Sequence, residues 1–217
     1  MAPFVLGISG SSCAGKTTLA EKLCRAICGP FLVQVPRRSK KDRASRFQAA
    51  SGVPRVSVVC QDSFFKGVPA DAEHLPWDEP ESLHHDLVLS VLKAEAEDQT
   101  LDCLIFEGFK AFHDERVVAL LQMYVWLQVP RDVAQKRRMA RCSGCSEQHF
   151  DQQIWANHMR YEKQTFERLG SKLSKFSGED RKTDECVVTM IKPHSEVASS
   201  HYTSSVHITL VTDLRMN

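Results

Sequence analysis

Gly10-Ser11-Ser12-Cys13-Ala14-Gly15-Lys16-Thr17 fits the pattern of Gly, four variable residues, then Gly-Lys and Ser or Thr, without substitution. The apolar run Phe4–Ile8 precedes it, and Leu19, Leu23 and Ile27 recur at helical spacing after it. That context of strand, loop and helix is what the pattern requires. Glycines let the loop wrap tightly enough for backbone N–H groups to converge, and the helix adds its positive N-terminal end. Gly10, Ser11, Ser12, Cys13, Ala14 and Gly15 are thus expected to cradle a polyphosphate, with Thr18 continuing the loop into the helix. Lys16 is placed to neutralise the β and γ phosphates. Thr17 is placed to ligate Mg²⁺ through its hydroxyl. The ligand implied is a nucleotide polyphosphate.

Outward from the loop, Val56–Cys60, Cys103–Phe106 and Tyr124–Val129 are compact apolar runs, as strands buried on both faces should be. Helical patterns at Leu83–Ala96, Asp114–Leu121, Asp132–Arg141 and Gln148–Leu169 alternate with them. Alternation of this kind predicts an α/β fold with a parallel sheet flanked by helices, of the P-loop NTPase type. We place this domain at 1–176. Residues 177–217 read as a tail in which Val187–Ile191 or Val206–Val211 could supply a last strand.

The formal net charge of +1 gives no overall bias toward nucleic acid or anionic membrane. No run reaches the roughly 18 apolar residues of a membrane span, and the start carries no signal-peptide pattern. A soluble, cytoplasmic protein is expected. The eight cysteines are scattered as in a reducing compartment. Cys142, Cys145 and His149 begin a zinc spacing, but no second pair completes four ligands, so they read as loop thiols. A basic insertion at about 35–55 holds Arg37, Arg38, Lys40, Lys41, Arg43 and Arg46. It reads as a solvated loop more readily than as a nucleic-acid surface.

In an open parallel sheet, ligands sit beyond the carboxyl ends of the strands. Two acids fall there, Asp62 after Val56–Cys60 and Glu107 after Cys103–Phe106. Asp62 suits a base that accepts the proton of an attacking hydroxyl, and Glu107 an acid that orients Mg²⁺. No guanine-reading NKxD pattern is present, which disfavours a GTPase switch.

The segments GISGSSCAGKTTLA (7–20), CQDSFFK (60–66), WDEPESL (77–83) and LIFEGF (104–109), in this order and spacing, resemble the nicotinamide riboside kinases within the wider uridine kinase and phosphoribulokinase group. The resemblance covers about residues 4 to 170. It implies phosphorylation of the ribose 5′-hydroxyl of nicotinamide riboside by ATP, giving the mononucleotide and feeding NAD synthesis. Asp62 and Glu107 then take the base and magnesium roles. Asp78 becomes the acceptor of hydrogen bonds from the ribose hydroxyls, and Trp77 stacks on the base, where a cationic nicotinamide gains from an indole face. The basic stretch Arg131–Arg141 is similar to the lid of these enzymes, within a lid at about 131–150. Arg138 matches the substrate-side arginine, and Arg137 and Arg141 match those on the phosphates. The lid stretch Cys142-Ser143-Gly144-Cys145 lacks the tyrosine common there, and no aspartate-glycine turn stands out near the expected adenine side. Uridine or cytidine phosphorylation, or a degenerate ATP-binding regulator, are the alternatives.

Overall fold

Phe4–Gly10 is buried at every position and forms β1. Its side chains alternate between two cores: Leu6 and Ile8 join one apolar cluster and Val5 the other. The chain then passes through Ser11–Gly15 into α1 (Lys16–Cys28), which turns Leu19, Leu23 and Cys24 onto the sheet. Two short strands follow, β2 (Val33–Val35) and β3 (Ala44–Gln48), and then β4 (Arg55–Cys60). Next come α2 (His85–Ala96), β5 (Cys103–Glu107), α3 (Glu115–Val118), β6 (Met123–Gln128) and α4 (Arg131–Arg141). A short α5 (Glu147–His149), capped by Ser146 Oγ, runs through a π-helical stretch at Phe150–Trp155 into α6 (Ala156–Leu169). The chain closes with β7 (Leu173–Ser177) and α7 (Thr183–Ser199). This computed structural model describes residues 2–29, 31–35, 43–50, 52, 55–66, 79–142, 145–180 and 182–199, with backbone alone for Val35 and 192–199.

The seven strands order as β2-β3-β4-β5-β1-β6-β7. From β4 to β7 every pairing is parallel, while β2 and β3 add an antiparallel edge. Helices α1 and α7 share one core cluster and α2 and α6 contribute to the other, so the sheet lies between two helical layers, as the alternation predicts. The register aligns Ile8 and Cys60 with Glu107, and Gly10 with Leu127. The carboxyl ends of β1, β4, β5 and β6 therefore meet at one edge, where a ligand belongs.

Two expectations are corrected. The basic insertion is not wholly a solvated loop, because Ala44–Gln48 is strand β3 and Arg46 is buried in an ion pair with Glu95 of α2. All five residues of β3 pair with β4, and Arg46 is thereby turned inward onto that carboxylate. Arg37, Arg38, Lys40 and Lys41 lie outside the described residues. In the tail, Val187–Ile191 is helical, not a strand. Val187 and Ile191 sit one helical turn apart, both buried against the cluster that holds Leu19 and Leu23 of α1, so the i, i+4 spacing prevails. The last described strand is instead Leu173–Ser177, which pairs with β6. Val206–Val211 lies outside the described residues.

Candidate active site

The cradle starts at Gly10, whose φ of 142° brings the chain so close to β6 that a Cβ would lie 2.2 Å from the Leu127 carbonyl oxygen. Only glycine fits. Gly15, at φ 95°, starts α1, so the free N–H groups of that helix open onto the cradle. Lys16 folds back over the loop, donating from Nζ to the carbonyls of Ser11 at 2.7 Å and Gly10 at 3.2 Å. Burial pushes its ammonium below the ordinary lysine value, and the carboxylates of Glu107 and Asp62 oppose that shift. A polyphosphate would add the counter-charge that favours the cation.

Thr17 Oγ1 donates to Glu107 Oε1 at 3.0 Å, which joins the loop to the end of β5. Hard oxygen donors of this kind fit Mg²⁺, which takes most of its remaining ligands from phosphate and water. No cluster of three or more His, Cys, Asp or Glu suited to a metal occurs among the described residues. Glu107 is buried, whereas Asp62, in the helical turn Gln61–Phe64 after β4, is exposed. Both line one cavity of about 790 Å³ together with Lys16, Thr17 and Thr18.

The lid arginines reach the same place. Arg137 Nη1 donates to the Cys13 carbonyl at 3.2 Å, Arg138 Nη1 reaches Ser12 Oγ at 3.5 Å, and Arg141 lines the cavity. Arg138 Nε and Ser11 Oγ are buried without a hydrogen-bond partner. Buried polar atoms are seldom left so, and a phosphate would satisfy a donor of each kind. Of the sequence-predicted residues, the structure thus brings together the loop from Gly10 to Thr18, Asp62, Glu107, Arg137, Arg138 and Arg141. Trp77 and Asp78 lie outside the described residues.

Several contributors escaped sequence reasoning. Phe65 and Phe109 stack at 5.9 Å with planes 17° apart and line the cavity beside the two carboxylates. Gly178, just past β7, packs on the cradle: its N–H donates to Gln128 O at 2.8 Å, and a Cβ would lie 2.2 Å from Ala14 O. It lines a second cavity of about 310 Å³ with Ala14, Thr18, Arg137 and Asp184. A glycine between a strand and an acidic helix start was the available signal. Gly178→Ala is expected to displace the loop and weaken ATP binding by about 1–3 kcal/mol, which titration calorimetry would read.

Arg160 of α6 donates from Nη2 to Glu79 Oε1 and Oε2 at 2.7 and 2.8 Å. Glu79 opens the described stretch that leads into α2, so this pair fastens that stretch to α6. Exposed pairs of this kind contribute up to about 1 kcal/mol. Arg160→Ala is expected to raise the acceptor KM up to about fivefold and leave the ATP KM unchanged, in steady-state kinetics.

Known proteins of similar sequence and fold include kinases. The human nicotinamide riboside kinase 1 is 24% identical over 180 residues, covering 74% of this chain and 77% of that protein. The mouse uridine-cytidine kinase-like 1 is 24% identical over 166 residues, covering 64% of this chain but only 26% of that protein. This chain is similar to the uridine kinases and nicotinamide riboside kinases. A possible uridine kinase from Bacillus stearothermophilus superposes with a TM-score of 0.52 at 15% identity, over 80% of this chain and 89% of that one. The fold is that of the P-loop kinases. No protein-family model matches the chain. Among the described residues, no helix is long and apolar enough to cross a membrane.

Proposed function

We propose that this chain transfers the γ-phosphoryl group of ATP to the ribose 5′-hydroxyl of a nucleoside, with nicotinamide riboside the preferred acceptor. The observation that carries the reading is the shared cavity: a phosphate cradle, a buried carboxylate joined to the loop threonine, and an exposed carboxylate open to an acceptor. Asp62 takes the proton of the attacking hydroxyl, a task for a solvent-open carboxylate at the cavity wall. Lys16 exchanges the carbonyls of Gly10 and Ser11 for phosphate oxygens. Arg137, Arg138 and Arg141 spread the charge that builds on the transferring group and exclude water. Thr17 and Glu107 would hold Mg²⁺, which would supply positive charge to offset that developing on the transferring group.

Preference for nicotinamide riboside rests on Trp77, Asp78 and their pairing with the Gln61–Lys66 motif. A desolvated indole face attracts the nicotinamide cation by about 1–2 kcal/mol and gives uracil no such gain. Trp77→Ala is therefore expected to lower kcat/KM for nicotinamide riboside about 5- to 30-fold and for uridine far less, which competition between the two acceptors would measure. Equal loss for both, or none, removes the argument for nicotinamide. Uridine or cytidine is the second reading. It is supported by the equal identity to relatives of both kinds and by the lid stretch around Cys142 and Cys145, which brings no tyrosine to the base.

A further inference from the structure

The cysteines fall into two chemical groups. Cys24, Cys28, Cys60 and Cys103 have their thiols pushed up by burial, Cys24 to about 12 and Cys28 to about 11, so they stay protonated and unreactive. Cys13, Cys142 and Cys145 instead line the phosphate cavity, and Cys186 stands exposed on α7. All are free thiols.

Cys142 and Cys145 are placed for each other. The Cys145 N–H donates to the Cys142 carbonyl at 3.2 Å, so the two residues are neighbours in space as well as in sequence. A disulfide needs Cα atoms about 4.4–6.8 Å apart. Cys142 is exposed, while Cys145 is half-buried and packs on the core. The Cys142 N–H donates to the Arg138 carbonyl at 3.0 Å, which fixes the pair to the last turn of α4. Arg138, Arg141 and Lys16 line the same cavity. These cations concentrate anionic reagents beside the two thiols.

We propose that Cys142 and Cys145 form a thiol–disulfide exchange site on the wall of the phosphate cavity. It takes anionic low-molecular-weight disulfides of the glutathione class, closes to an internal disulfide, and is shielded by a polyphosphate in the cavity. Cys142 gives up its proton and its sulfur attacks one sulfur of the glutathione disulfide, whose S–S bond breaks. One glutathione leaves as thiolate and takes up that proton. Cys145 then loses its proton and attacks the Cys142 sulfur, expelling the second glutathione, which is protonated in turn. The protein is oxidised by two electrons, and one glutathione disulfide is reduced to two thiols. The site depends on the phosphate reading of the cavity and not on which nucleoside is the acceptor.

The test incubates the reduced full-length chain with glutathione disulfide, alkylates the remaining thiols, and maps the peptides by mass spectrometry. Expected is a bond between Cys142 and Cys145 that dithiothreitol reverses, with the buried Cys24, Cys28 and Cys103 alkylated only after unfolding. Mg²⁺ with inorganic tripolyphosphate at ten times its own Kd should slow the bond about tenfold. Cys145→Ser should stop at a glutathione adduct on Cys142, because the resolving thiol is gone. No disulfide, a disulfide to Cys13 or Cys186 instead, or an unmodified Cys142 in the Cys145→Ser variant would overturn the proposal. So would tripolyphosphate that binds by calorimetry yet gives no protection. Tripolyphosphate that does not bind at all would count against the phosphate reading and the shielding together, while the peptide map still decides the exchange pair.

Discussion

Asp62→Asn should lower acceptor-dependent turnover by about 10²–10⁴-fold and leave the affinity for Mg·ATP within about twofold. The side chain keeps its size and its place in the turn Gln61–Phe64 but can no longer take a proton. Nucleotide affinity should survive because the phosphates are held elsewhere, by the loop, Lys16 and the lid arginines, and Asp62 touches none of these in the described hydrogen bonds. Removing the carboxylate also removes one of the two carboxylates that oppose the lowering of the Lys16 value, with Glu107 left in place. Calorimetry for binding and ADP release for turnover separate the two effects. Unchanged turnover would end the assignment of Asp62 as base.

Glu95→Ala is expected to destabilise the fold by about 3–5 kcal/mol. In a chain of this size that is a fall in Tm of roughly 6–20 °C by calorimetry. Arg46 is only 8% exposed and Glu95 4%. The guanidinium donates from Nε to Glu95 Oε2 at 3.1 Å and from Nη2 to Oε1, and Ser57 Oγ adds a bond to Oε2 at 2.6 Å. This carboxylate therefore joins β3, β4 and α2. Truncating it leaves a buried guanidinium without its carboxylate, and the desolvation cost of that charge appears almost undiminished. Replacing both partners, Arg46→Met with Glu95→Met, should avoid much of that loss, since an apolar pair of similar volume needs no counter-ion. Because β4 leads into Asp62, activity should fall in parallel with the folded fraction and return with it.

The site was legible in sequence to the extent that it is made of backbone. A phosphate loop needs Gly10 for its close approach to β6 and Gly15 for its left-handed turn, so its chemistry is written as consecutive letters. Asp62 and Glu107 were readable because a parallel sheet sends strand ends to one edge, and two buried runs located those ends. The arginines of α4 were visible as a charge cluster, although which would face the loop depends on helix phase: Arg137 and Arg138 do so, while Arg131 turns away to Asp151.

What escaped depends on pairings distant in sequence. Arg46 looked like a member of a solvated basic run because its partner lies 49 positions away on another element. β7, with Ser, Lys and Ser among five residues, has too little apolar pattern to declare itself, and it exists because β6 offers an unpaired edge. Val187–Ile191 carries an apolar run that either a strand or a helix could use, and α1 decides it by receiving Val187 and Ile191 on one face. The contact of Arg160 with Glu79 spans 81 positions, beyond any local signal.

The measurement that tests the central claim most directly is ADP release by the purified chain with Mg·ATP, comparing nicotinamide riboside, uridine, cytidine and no acceptor at matched concentrations. The account predicts release that depends on acceptor and is fastest with nicotinamide riboside. Release no faster with any nucleoside than without one, from protein that binds ATP, would contradict it.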